Sequence, residues 1–236
     1  MQKSDNSQKS RCVLFDFDGV VAASEGVKSD THVQTCLRLG GTPSVKLNEL
    51  YKDVMGRPSL ESRYAFLECA RIEPSPEIIQ SYQDIYRSIY RDRLADIRCT
   101  PGVEKILHTL QSRGCQIGLV SSSRIEVIDI ILKNNRVDHF FSAIVSSEIV
   151  PDLKPSPKPY LKALEMLGFD RAPENVLVIE DTQPGITAAK NAGLKAIALR
   201  HHLNERQNLE KADYFFDSLE DDRLLQLIDK FVDNQL

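Results

Sequence analysis

Two aspartates one residue apart, Asp16 and Asp18, stand directly after the apolar run Cys12-Val13-Leu14-Phe15 and directly before Gly19. The run reads as a short buried strand and the glycine as the start of a turn. Side chains two apart on a strand project to the same side. The pair is therefore expected together at the strand's C-terminal tip, where open α/β sheets place their ligand crevice. Two like charges about 4 Å apart repel by roughly 4 kcal/mol at an effective dielectric of about 20. Such a pair binds a cation or handles protons; the alternative is two ordinary turn acids flanking a glycine.

Three more stretches have chemistry in their residue types. Ser121-Ser122-Ser123 follows a strand-like run. Small hydroxyl residues ahead of a helix N-terminus make an anion site, because free backbone N–H groups and the helix dipole face the bound group. Ser123 and Glu126 also have the spacing of a capping box, so the serines have a purely capping alternative. Lys154-Pro155-Ser156-Pro157 holds a lysine beside stiff backbone. Pro157 suits the first turn of a helix, with Ser156 as its N-cap. A lysine held this way can neutralise a phosphate or a carboxylate; a solvated surface lysine is the alternative. Glu180-Asp181 closes the run Val-Leu-Val-Ile. With Asp16 and Asp18 it makes four oxygen-rich side chains, and carboxylates without histidine or cysteine suit a hard ion, Mg²⁺ before others. The alternative is an acid pair favoured by a helix N-terminus.

The elements that must position these residues alternate. Strand-like runs are expected at 12–15, 116–121, 143–146, 176–180, 195–199 and 214–216. Helical patterns lie between them at 103–112, 124–134, 157–167 and 184–192, with Gly193 at a helix C-cap. Alternation of this kind argues for an α/β fold with a parallel sheet covered by helices on both faces. Residues 24–97 break the pattern: they read as helices without a convincing strand. Tyr82, Ile85, Tyr86, Ile89, Tyr90 and Leu94 follow the spacing of an amphipathic helix, read here as bundle packing. The expected organisation is a polar, disordered tail over 1–10, a core built from 11–23 and 98–236, and a helical insert over 24–97.

The 236 residues suffice for one large domain or two unequal ones. A formal net charge of −4 offers no basic face for nucleic acid or an anionic membrane. The five scattered cysteines lack metal-ligand spacing and read as free thiols in a reducing compartment. The polar start and the lack of a long apolar run make the cytoplasm the expected setting. The sequence sets no oligomeric state.

Taken together, the four motifs resemble those of the haloacid dehalogenase superfamily over nearly the whole chain after the tail. Asp16-x-Asp18-Gly19 resembles its first motif, Ser121 its second, Lys154 its third and Glu180-Asp181 its fourth. The insert resembles the helical cap of the branch that holds β-phosphoglucomutases and phosphoglycolate-type phosphatases. The resemblance implies a Rossmann-like core and a Mg²⁺-dependent phosphatase of a small phosphorylated metabolite. It implies Asp16 as nucleophile, forming an aspartyl-phosphate, and Asp18 as acid and base, with a carboxyl pKa raised by burial beside Asp16. Mg²⁺ would sit on Asp16, Asp18 and Glu180 or Asp181, or both. Ser121, its neighbours Ser122 and Ser123, Gly19 and Lys154 would meet the phosphoryl group; Arg57 is the cap candidate for touching the rest of the substrate, with an ordinary surface arginine as the alternative. Ala23-Ser24 and Lys28 depart from the branch's usual wording, and Lys28 is a further candidate for an anionic substrate. A sugar-phosphate mutase and a non-catalytic phosphate- or protein-binding relative are the alternatives. His201-His202 reads as a loop pair, since adjacent side chains seldom converge on one ion.

Overall fold

The computed structural model describes residues 11–236. The tail expected over 1–10 lies outside them. Six strands, β1 (Cys12–Phe15), β2 (Gln116–Val120), β3 (Ala143–Val145), β4 (Val176–Glu180), β5 (Lys195–Leu199) and β6 (Tyr214–Phe216), form one sheet in the order β3-β2-β1-β4-β5-β6. Every pairing is parallel. The strands are apolar on both sides because both sides are covered. Val13, Phe15, Leu177 and Ile179 face one core, closed by α6 (Val103–Ser112), α7 (Ile125–Asn134) and α10 (Asp222–Val232). Cys12, Leu14, Val176 and Val178 face the other, closed by α8 (Lys158–Leu167) and α9 (Gln183–Asn191). Each large apolar side chain buried this way contributes roughly 1.5–3 kcal/mol.

The strand order reverses at β1. From there the chain winds outward through β2 and β3, then returns to the other side for β4, β5 and β6. That reversal opens a crevice beyond the C-terminal ends of β1 and β4. Asp16 follows β1 and Glu180 ends β4, and the Asp16 N–H still donates to Ile179 O at 2.9 Å. The strand stops at Phe15, so the two first-motif acids lie in the loop beyond it rather than on its tip. Residues 17–22 close a tight turn there, with Val21 and Ala22 N–H both donating to Phe17 O. Gly19 takes φ +86° in this turn, a backbone state that favours glycine.

Between β1 and α6 the described residues hold helices and no strand: α1 (Glu25–Arg38), α2 (Val45–Glu49), α3 (Tyr51–Val54), α4 (Ser59–Cys69) and α5 (Pro76–Arg93). They have a core of their own around Cys36, Leu47, Phe66, Leu67 and Tyr82. Sequence sets the start of α5 plainly. Ser75 accepts from Ile78 N–H at 3.2 Å, and Pro76 occupies the first turn, where no N–H is needed. Its aromatic stripe is divided. Tyr82 and Tyr90 are buried, whereas Tyr86 also lines the cavity described below.

Two helix starts differ from expectation. The Ser123–Glu126 capping box does not form; α7 begins at Ile125, whose N–H donates to the Glu148 carboxylate at 3.0 Å. Ser123 is drawn elsewhere by a buried acid. Helix α8 begins at Lys158, and Ser156 still accepts from its N–H at 3.3 Å. Among the described residues no helix is long and apolar enough to cross a membrane. The five cysteines are free, two of them buried.

His32 is buried in the insert, stacked on Phe66 at 4.5 Å between ring centroids and paired through Nδ1 with the Tyr82 hydroxyl at 2.7 Å. Burial, then the nearby Lys28 and Arg63 charges, lower its pKa to about 3. An unfolded histidine titrates near about 6.5. The unfolded chain therefore binds a proton first as pH falls, and the native state loses stability from about pH 6.5 downward. His32→Phe is expected to flatten this limb by about 1.4 kcal/mol per pH unit between about pH 6 and 4. Urea denaturation of both proteins across that range checks it; parallel curves would refute it.

Candidate active site

A cavity of about 280 Å³ opens between the sheet's C-terminal edge and the helical insert. Asp16, Asp18, Ser121, Ser122, Ser123, Lys154 and Thr182 line it from the core. Lys28, His32, Tyr51, Arg57, Ser59 and Tyr86 line it from the insert. Stretches as distant in sequence as Asp16, Ser121 and Lys154 are thus brought to one floor.

The Lys154 ammonium joins three of these stretches. It donates to Asp16 Oδ1, to Glu180 Oε1 at 2.6 Å and to Val120 O at 2.9 Å. All three of its hydrogens are used. The Tyr160 ring stands 5.1 Å from the ammonium, and its hydroxyl donates to Glu180 Oε1 at 2.9 Å. Glu180 Oε2 accepts from Asp181 N, Thr182 N and Thr182 Oγ1 at 3.0, 3.1 and 3.1 Å. Glu180 is thereby saturated with donors at the N-terminus of α9.

Asp181 is the opposite case. It has no exposed surface, and its Oδ1 has no hydrogen-bond partner. Asp16, Glu180 and Asp181 each present an oxygen within 4.8 Å of the others. Burial, then the Glu25 and Glu180 charges, raise the Asp181 pKa well above the carboxylate range. Burial likewise raises Asp16; Lys154 opposes it, while Glu180 and Asp181 add to it. A buried orphan oxygen inside an over-acidic cluster fits a hard cation, and the all-oxygen donor set fits Mg²⁺.

Asp18 departs from expectation. Burial pushes its pKa up, but the Lys28 ammonium and hydrogen bonds from Ser123 and Ser24 outweigh burial and lower it. Lys28 Nζ lies 2.7 Å from Asp18 Oδ1 and 3.1 Å from Glu25 Oε1. Ser24 Oγ donates to Asp18 Oδ1 at 2.5 Å and Ser123 Oγ to Oδ2 at 2.6 Å. Lys28 thus lines the cavity with its charge already paired. Gly19 packs against Asp181 instead of the cavity: a Cβ there would stand 2.0 Å from Asp181 Oδ2. Ser121 Oγ accepts from Ser123 N at 2.9 Å, which leaves the Ser121 hydroxyl hydrogen free to donate. Arg57 is exposed.

A family model described as haloacid dehalogenase-like hydrolase matches residues 13–199. The chain belongs to the haloacid dehalogenase-like hydrolases. It is similar to the pyrophosphatase PpaX of Bacillus mycoides, with 29% identity over 223 residues, 90% of this chain and 95% of that protein. Among solved structures it is similar to a predicted phosphoglycolate phosphatase from Haemophilus somnus, with TM-score 0.81, 20% identity and coverage of 94% and 99%. A β-phosphoglucomutase from Clostridium difficile aligns with TM-score 0.74, 23% identity and coverage of 95% and 98%. The two structural likenesses speak for the fold.

Several site residues of this hydrolase have no signature in the sequence. Tyr160, Glu25 and Asn204 are single residues of ordinary type, found only through their contacts. His201 reads in the sequence as half of a loop pair; in the structure its Nε2 lies 3.0 Å from Asp181 Oδ2. Gly185 had a readable signal, a glycine in the second position after Gln183 in a helix. A Cβ there would stand 1.8 Å from Glu180 Oε1. In an ordinary helix Gly→Ala stabilises by about 1 kcal/mol. Here Gly185→Ala is expected to destabilise by about 1–3 kcal/mol, because the five-donor carboxylate cannot yield. Chemical denaturation gives the sign, and a stabilised variant would refute the packing argument.

Proposed function

We propose that this hydrolase is a Mg²⁺-dependent phosphatase that cleaves a small phosphorylated metabolite through an aspartyl-phosphate on Asp16. The observation that carries the reading is the meeting of Asp16, Lys154 and the Glu180-Asp181 pair around one buried carboxylate at a cavity floor. The name of the curated relative, a pyrophosphatase, supports phosphoryl chemistry. In the first step an Asp16 oxygen bonds to phosphorus while the bond to the leaving oxygen breaks, and Asp18 delivers a proton to that oxygen. In the second step Asp18 takes a proton from water as the water oxygen attacks phosphorus and Asp16 is released. The Lys28 pair suits Asp18 for the second role; the first requires that pair to loosen as substrate enters. Lys154, itself anchored by Glu180, holds the attacking carboxylate in place. The Ser121 hydroxyl and the N–H groups after β2 meet the phosphoryl oxygens. Asp16 and Asp181, with the Asp18 main-chain carbonyl, would hold the ion, with Glu180 as neighbour. Bound there, Mg²⁺ would offset the repulsion between a carboxylate and a dianionic phosphate.

Helices α1–α5, over residues 24–97, act in this reading as a cap above the core formed by 11–23 and 98–236. A cavity of about 280 Å³ sits at the small end of the roughly 300–1,000 Å³ typical of ligand sites. It suits a short substrate whose organic part meets Tyr51, Ser59, Tyr86 and neutral His32. With Lys28 and Lys154 already paired, Arg57 is the lining cation left to meet a second anionic group. The complete acid and lysine set weighs against a non-catalytic relative, and no contact in the site favours the phosphomutase alternative.

Phosphate release across phosphorylated sugars, polyols and short acids tests the reading. Chelation of divalent ions is expected to abolish turnover. Asp16→Asn is expected to lower kcat by at least roughly 1,000-fold, as for other lost nucleophiles. Turnover that survives either change would overturn the mechanism.

A further inference from the structure

We propose that His201 is a positioning residue for the cation site: one hydrogen bond from its ring fixes the Asp181 carboxylate so that the other carboxylate oxygen faces the ion. The proposal rests on the reading of Asp181 as an ion ligand.

The argument begins with the loop after β5. Asn204 is buried there and organises the bend. Its Oδ1 accepts from His201 N–H at 2.8 Å. Its Nδ2 donates to Leu199 O and to Asp181 O, both at 2.8 Å. One side chain therefore ties the backbones of His201 and Asp181 together. The imidazole is then oriented by a second contact: Leu203 N–H donates to His201 Nδ1 at 3.2 Å. A ring nitrogen that accepts carries a lone pair, so the ring hydrogen is on Nε2. Nε2 stands 3.0 Å from Asp181 Oδ2 and donates to it.

The consequence falls on the rest of the carboxylate. Oδ2 is confined between His201 and the backbone of Gly19, where even a methyl group would not fit. With Oδ2 held, the carboxylate cannot spin about its last bond, and Oδ1 has one place to be. That oxygen is buried without a hydrogen-bond partner, and its residue clusters with Asp16 and Glu180. A buried acceptor left unpaired costs about 1–3 kcal/mol or more. The loop therefore spends two residues on presenting an unsatisfied oxygen, an arrangement that serves a cation. Hydrogen-bond partners of metal-binding groups commonly govern affinity by about 10–100-fold. His202, the exposed neighbour, makes no such contact with Asp181.

Mn²⁺ binding to the full chain, followed by electron paramagnetic resonance, tests this with wild type, Asp181→Asn, His201→Ala, His201→Phe, His201→Gln and His202→Ala. His201→Ala and His201→Phe are expected to weaken Mn²⁺ binding about 10–100-fold. Phe keeps the ring's bulk and removes only the donor, so a packing role would spare it. His201→Gln, whose amide nitrogen reaches close to the Nε2 position, is expected to recover most of the affinity. His202→Ala is expected to match wild type. The Mg²⁺ concentration giving half-maximal turnover is expected to rise about 10–100-fold in His201→Ala; an unchanged requirement would overturn the proposal. Wild-type Mn²⁺ affinity in His201→Phe, with Asp181→Asn having lost it, would overturn the proposal and leave Asp181 as the ligand. Wild-type affinity in Asp181→Asn would overturn the reading of Asp181, and this proposal with it.

Discussion

Five carboxylates, those of Asp16, Asp18, Glu25, Glu180 and Asp181, meet two ammonium groups, Lys28 and Lys154, in one largely dry region at the end of the sheet. Charges of one sign cannot be packed this way without compensation. Proteins resolve such an excess by protonation, by donors or by a cation. Each acid here follows a different course. Glu180 is surrounded by donors, Asp18 is paired with Lys28 and two hydroxyls, and Glu25 is held by Lys28 and the Tyr51 hydroxyl. Asp16 and Asp181 remain under-compensated, with pKa values pushed up by burial. The remaining negative potential is concentrated where a cation would touch both, which is the constraint from which the rest of the site follows.

The sheet makes that concentration possible. Parallel strands covered on both faces end in a crevice whose walls are loops and helix N-termini. Acids there find backbone N–H donors, and Glu180 uses those of Asp181 and Thr182. Gly185 lets that carboxylate lie against α9, and Gly19 lets Asp181 lie against the first turn. Both glycines serve close approach of a charged group. Neither meets the substrate side of the cavity through a side chain.

Much of the fold was legible because buried parallel strands are short apolar runs bounded by turns. Val176–Glu180, Lys195–Leu199 and Tyr214–Phe216 fall where their patterns end. The convergence of Asp16, Ser121, Lys154 and Glu180-Asp181 was legible for a related reason. Each lies at or beyond the C-terminal end of a strand, and parallel strands finish on one side. What the sequence hides is set by contacts between elements. Ser123 has the spacing of a cap, yet its hydroxyl turns to the partly buried Asp18 carboxylate, a charged acceptor and therefore a stronger partner. The direction of the Asp18 shift depends on Lys28, ten residues along on another element. His201 looks like half of a histidine pair, and only the fold shows that its ring faces Asp181, the acid just after the neighbouring strand β4.

Asp18 is also where the two parts of the molecule meet. Ser123 reaches it from the core, whereas Ser24 and Lys28 reach it from the start of the insert. Asp16, by contrast, is held by Lys154, which Glu180 anchors in turn, both of the core. A displacement of α1 from the sheet would therefore strip Asp18 of its cation and one hydroxyl while leaving Asp16 gripped. In the proposed mechanism the attacking group would be fixed by the sheet, and the proton-handling group would depend on the position of the insert. Loops at the rear strengthen this coupling. Gln207 donates to Met55 O at 2.7 Å, and Arg206 pairs with Asp53 at 2.8 Å, so the segment after β5 grips the insert near Arg57. That segment also carries His201 and Asn204 against Asp181. One stretch of chain thus touches both the insert and the acid at the ion site. In the proposed mechanism the proton step and the ion site would share these elements, so a change in the insert's seating would reach both.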